Sequence, residues 1–148
     1  MAGLSVRNLT RRKAPVFPFM KAAQRLKGWD LSLVFVTDAR AKSLNQALRK
    51  KDYVPNVLSY ETGKKSGEVI ICLSEAARQA PTYDLPYADF CGFLFIHGLL
   101  HLEGYRHGPT MDKHERTLLK RFVPVSLNET KNRNRNRHRH LAGEGRRR

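Results

Sequence analysis

Cysteine is scarce. The chain has two, Cys72 and Cys91, far apart and without a Cys-x-x-Cys pair. That excludes a disulfide-built scaffold and a thiolate metal cluster, and it leaves each cysteine as a buried reduced thiol in its own apolar run. Long apolar runs are also missing. None approaches the ~20 residues that a membrane-spanning helix needs. The first twenty residues have scattered basic side chains but no continuous apolar stretch of the kind a secretory leader carries, so a cytoplasmic protein is expected, with no membrane partner. Acidic residues are few: 13 against 28 Lys and Arg, for a formal net charge of +15. Such a field favours a polyanionic partner. Residues 128–148 hold eight Lys or Arg and two Glu, which leaves +9 on residues 1–127. The basic character therefore belongs to the body as well as to the tail.

What is present reads as one domain over residues 1–127 followed by a basic tail. The run from Asn132 to His140 alternates Asn or His with Arg and has no apolar face. It cannot enter a core, so residues 128–148 are expected to be a disordered arm or solubilising terminus. In the body, Leu4–Leu9 alternates as a strand does, and Phe19–Lys27 carries apolar residues at helical spacing with Gly28 as its stop. Leu31–Val36 is a second strand, and Thr37 and Asp38 can cap a helix over Ala39–Arg49. Val57–Tyr60 and Glu68–Leu73 read as a hairpin across the polar loop Thr62–Gly67. Ser74 can cap a short helix over Glu75–Gln79, and Pro81–Pro86 reads as a loop. Tyr87–Leu102 is apolar nearly all round and should be a buried central helix ended by Gly104. Met111–Phe122 is a last helix with Thr110 as its cap. This order predicts an α+β fold: a small mixed β-sheet of about four strands covered by helices.

The chemistry concentrates between residues 97 and 107. His97 and His101 are four apart, so a helix stacks them on one face. Gly104 lets the chain reverse, and His107 can return to the same point. Three imidazoles at this spacing predict a metal site at the end of the central helix, with zinc as the expected ion and a coordination position left open. The competing reading is three unrelated histidines, each satisfied locally. The spacing matches the frame of the HExxHxxGxxH metalloproteases, but Gly98 replaces the glutamate that serves those enzymes as general base. Peptidase chemistry thereby loses its main support.

The segment His97-Gly98-Leu99-Leu100-His101-Leu102-Glu103-Gly104-Tyr105-Arg106-His107 resembles the signature HGxLHLxGYDH of the YbeY family. Leu44, Asn45, Arg49, Val57, Leu58 and Ser59, followed by Gly67–Ile70, resemble a second family segment. Met111 and Glu115 resemble its final helix. The resemblance covers roughly residues 4–122. It implies a single-strand-specific, metal-dependent endoribonuclease acting in ribosomal RNA maturation, at a 16S-type 3′ end, and in ribosome quality control. The implied cofactor is one Zn2+ per chain held by His97, His101 and His107. The implied partners are single-stranded RNA, ribosomal RNA and the small ribosomal subunit. A non-catalytic RNA-binding assembly factor with a structural zinc site is the alternative.

Arg49 is, on spacing alone, a helix-end cation that favours the dipole. The resemblance implies a catalytic role, clamping a phosphate or neutralising transition-state charge. Arg106 departs from the family, standing where an Asp is usual, and so removes a carboxylate beside His107. Ser59 reads as an ordinary strand residue, Glu103 as solvated, and His114 as a helix-surface residue rather than a fourth ligand.

Overall fold

A computed structural model describes residues 3–123. The elements follow the chain as β1 (Gly3–Asn8), α1 (Phe19–Ala23), β2 (Asp30–Val36), α2 (Asp38–Arg49), β3 (Val57–Gly63), β4 (Ser66–Cys72), α3 (Leu73–Gln79), a 3₁₀ turn (Ala80–Tyr83), α4 (Tyr87–Leu102) and α5 (Pro109–Phe122). The four strands form one sheet in the order β1-β2-β4-β3. β1 and β4 both run parallel to β2, and β3 runs antiparallel to β4. The fold is therefore α+β with a mixed sheet, as the element order predicts. No single helix among the described residues is long and apolar enough to cross a membrane.

Alternation along the strands assigns the two faces of the sheet. Leu31, Leu33, Phe35, Val57, Val69 and Ile71 point into the main core with α1, α3, α4 and α5. Val34, Val36, Leu58 and Ile70 point the other way, where Ala41 and Leu44 of α2 cover them. α4 lies in the main core and has one face against β3 and β4. Twelve of its sixteen residues are buried. This is what a helix apolar on all sides requires.

Two glycines let α4 pack this closely. A Cβ on Gly92 would fall inside the Phe17 ring, and a Cβ on Gly98 would lie 2.9 Å from Val69 Cγ1. Cys72 and Cys91 are free and buried, as expected from their apolar runs. The Thr37 hydroxyl accepts from Arg40 N at 3.3 Å and caps α2.

Several boundaries differ from the sequence expectations. α1 ends at Ala23 instead of Lys27, because the chain tightens into three-residue turns from Lys21 O to Gln24 N and from Ala23 O to Leu26 N before Gly28 turns it at φ +79°. The strands of the hairpin run on to Gly63 and from Ser66, so the connection is Lys64-Lys65 and not a six-residue loop. Ser74 is not a cap: α3 starts two residues earlier than expected, at Leu73, and Cys72 holds the cap position. α5 starts at Pro109, which suits a first helical position, with Gly108 before it. The tail expected over 128–148 lies outside the described residues.

Candidate metal centre

The last two turns of α4 carry His97 and His101 on one face. Gly104 at φ +102° then reverses the chain, and His107 comes back against both. The ring centroids are 4.6 Å apart for His97 and His101, 5.0 Å for His97 and His107, and 4.4 Å for His101 and His107. One nitrogen from each ring falls within 4.8 Å of the other two. The structure thus brings together all three histidines singled out by spacing.

The outer nitrogens are held from behind. His97 Nδ1 bonds the Glu115 carboxylate, and both side chains are 2% exposed. His101 Nδ1 lies 3.1 Å from the Tyr105 carbonyl oxygen, to which it donates. A donor at Nδ1 leaves the lone pair at Nε2. Those two Nε2 atoms face each other at 3.1 Å. Two lone pairs at that distance repel, and a cation between them removes the repulsion. Nitrogens 2.0–2.1 Å from a tetrahedral ion sit roughly 3.3 Å apart. The donor set and its spacing therefore fit a divalent metal of zinc size, with one imidazole deeply buried and two half-buried.

Glu115 is the partner of His97 that spacing within residues 97–107 does not reveal. His114, its neighbour on α5, serves the same centre differently. Its Nε2 lies 3.1 Å from the Tyr105 hydroxyl, with the rings 4.7 Å apart. His114 therefore braces the residue whose carbonyl holds His101. Glu103 is not simply solvated: Arg25 Nε donates to it at 2.5 Å, tying the end of α4 to the turn after α1. Ser59 sits on the α4 side of β3, with its Cβ 3.5 Å from where a Cβ on Gly98 would stand. Arg106 is exposed.

Arg49 is the last residue of α2, a helix on the opposite face of the sheet from α4. It is half-buried, and loss of hydration holds its guanidinium pKa below the ordinary arginine value. Burial raises the thiols of Cys72 and Cys91 to about 12, which makes both poor nucleophiles.

The chain matches the family model for "Endoribonuclease YbeY" over residues 6–123. It is 39% identical over 100 residues to an endoribonuclease YbeY of Thiobacillus denitrificans, covering 60% of this chain and 68% of that one. It is 32% identical over 125 residues to the one from Phytoplasma mali, covering 82% and 77%. Against other curated relatives the chain spans 54–64% of their length. Its fold matches the solution structure of TM1509 from Thermotoga maritima at a TM-score of 0.59 and 17% identity, covering 88% of this chain and 93% of that one. The three histidines, the carboxylate that orients the first of them and the glycine that seats their helix all lie within the matched stretch, and the chain belongs to the YbeY family.

Proposed function

We propose that this chain is a metal-dependent, single-strand-specific endoribonuclease. Its proposed setting is ribosomal RNA maturation, at a 16S-type 3′ end on the small ribosomal subunit, and ribosome quality control in the cytoplasm. The observation that carries the reading is the convergence of His97, His101 and His107, with the outer nitrogens of His97 and His101 already satisfied, in a chain of this family. The net charge of +15 suits a phosphodiester substrate.

The three histidines would hold one Zn2+. Bound there, the ion supplies Lewis acidity toward a phosphoryl oxygen and a lowered pKa for water. Glu115 keeps His97 in the tautomer with its lone pair inward, and the Tyr105 carbonyl does the same for His101. Arg49 binds the phosphate through its planar fork and offsets charge that builds on it. Position 98 takes no part, because the backbone there is pressed against Val69 and leaves no room for the glutamate of a peptidase.

Cleavage of a labelled single-stranded RNA with added zinc tests the proposal, beside a duplex of the same sequence and the variants Arg49→Ala and His101→Ala. The single strand should be cut and the duplex spared. Arg49→Ala should lose roughly 10²–10³ in rate while keeping its metal, the scale for removal of one preorganised donor. His101→Ala should lose the metal itself. Equal residual cleavage by all three proteins would expose a contaminant. The assembly-factor reading, RNA binding without cleavage, would then replace this one.

A further inference from the structure

Away from the histidines, the described residues form a concave pocket of about 440 Å³ between α1 and the start of β1 and β2. Leu4, Met20 and Leu31 give it an apolar wall, Trp29 an aromatic one, and Gln24 and Lys27 are its polar lining. The volume is in the range of small-ligand sites. Met20, 60% exposed, gives the pocket an apolar edge open to solvent.

The surroundings identify the occupant by charge. Gly28 turns the chain at φ +79° just before Trp29. The Trp29 carbonyl then accepts from Gly3 N at 3.0 Å, and Asp30 N donates to the Lys65 carbonyl at 2.9 Å. These bonds set the exposed Lys64-Lys65 turn beside the same segment as the exposed Lys27. An apolar, aromatic hollow with Lys27 in its lining, on a chain of net charge +15, is an arrangement with which proteins take an unpaired base and its flanking phosphates. The pocket also adjoins the catalytic helix. Gln24 lines it, and the next residue, Arg25, grips Glu103, two positions beyond His101.

We propose that this pocket binds one unpaired nucleobase of the RNA strand, stacked on Trp29 with Gln24 at its polar edge, while Lys27, Lys64 and Lys65 take neighbouring phosphates. The inference rests on the RNA-substrate reading above and adds a site that holds the strand at a distance from the metal centre. Preference for single strands follows, because a base paired in a duplex cannot enter a hollow of this kind.

Trp29 is the only tryptophan in the chain, so its emission reports on the pocket directly. The full-length protein is titrated with a short single-stranded RNA, with chelator present to keep the strand intact. An abasic ribose-phosphate strand of the same length serves as control. Binding is followed independently by anisotropy of a label on the RNA. Trp29 emission should be quenched saturably by the RNA and not by the abasic strand. Trp29→Ala should weaken binding about tenfold, and Trp29→Phe should restore most of it. Lys27→Glu, an exposed change that leaves the core alone, should weaken binding and flatten its salt dependence. Should Trp29→Ala fail to fold, the wild-type emission and Lys27→Glu still decide. RNA binding with unchanged Trp29 emission, and with Trp29→Ala and Lys27→Glu both at wild-type affinity, would overturn the pocket and leave the ribonuclease reading standing. Emission that changes with protein concentration but not with RNA would assign the pocket to self-association and overturn it likewise. Absence of any RNA binding by the wild-type protein would overturn the ribonuclease reading itself.

Discussion

A carboxylate that is 2% exposed keeps its charge only with a partner, and Glu115 has one in His97 Nδ1. Replacing it tests how far the ligands depend on the groups behind them. Glu115→Gln keeps the shape but loses the charge, and it should weaken metal binding about 10–100-fold, the usual scale for such partners. Competition with a chromophoric chelator measures this. Glu115→Ala should in addition cost about 1–3 kcal/mol of stability, because the His97 N–H is left buried without its acceptor. The histidines were legible because their spacing is short and helical. The role of Glu115 was not, because it lies 18 residues from His97 on a different helix. A signal for it does exist in the sequence. Met111, Glu115, Leu118 and Leu119 form one buried stripe of α5, and an acidic residue on an apolar stripe calls for a buried partner.

At the scale of the elements, α4 and α5 hold the centre between them, and each offers a test. In α4, Gly98→Ala would place a methyl 2.9 and 3.1 Å from the two Val69 methyls. Overpacking of this kind costs about 1–3 kcal/mol and lifts the helix from the sheet next to His97. A drop in melting temperature should follow, and the double variant Gly98→Ala, Val69→Ala should recover part of it. In α5, His114 steadies the Tyr105 hydroxyl. Tyr105→Phe removes only that hydroxyl, so it should weaken metal binding severalfold, less than Glu115→Gln, with the fold intact by circular dichroism. The sequence made α4 plain, since a run apolar on every side has nowhere to go but the core. It misled over α1, where Leu26 continues the helical spacing of Phe19, Ala22 and Ala23 but the chain has already entered tight turns. It misled over the hairpin as well. Thr62, Ser66 and Gly67 look like loop residues because the far end of the hairpin is exposed and polar, and register rather than composition makes them strand.

For the molecule as a whole, buried acidic protons set the response to alkali. Burial pushes Cys72, Cys91, Tyr60 and Tyr87 up to about 12, and a hydrogen bond to Glu68 adds to the effect at Tyr60. In the unfolded chain the same groups ionise near 9.0 for the thiols and 10.0 for the phenols. Their folded values are raised, so the stability they contribute is complete below pH ~9 and falls as the pH rises toward ~12. The urea midpoint should therefore drop as the pH rises from ~9 toward ~12, and Cys91→Ala should lessen the drop. Thiol labelling of the folded protein at neutral pH should be slow and should accelerate on unfolding. Composition announced the basic field and the polyanionic partner it suits. The placement of α2 on the far face of the sheet from α4 could not be read from the chain, because the side on which a helix crosses depends on pairings between strands far apart in sequence.

The three histidines and the groups that hold them all fall between His97 and Glu115, whereas the sheet must join Gly3 with Asp30 and Asp30 with Ser66. Short loops close faster than long ones, so the α4–α5 unit can assemble before the parallel strands have met. In kinetic terms the histidine cluster is expected to form early. Refolding in the presence of zinc should then speed the folding limb as well as slow the unfolding one, because the ion grips contacts that already exist at the barrier.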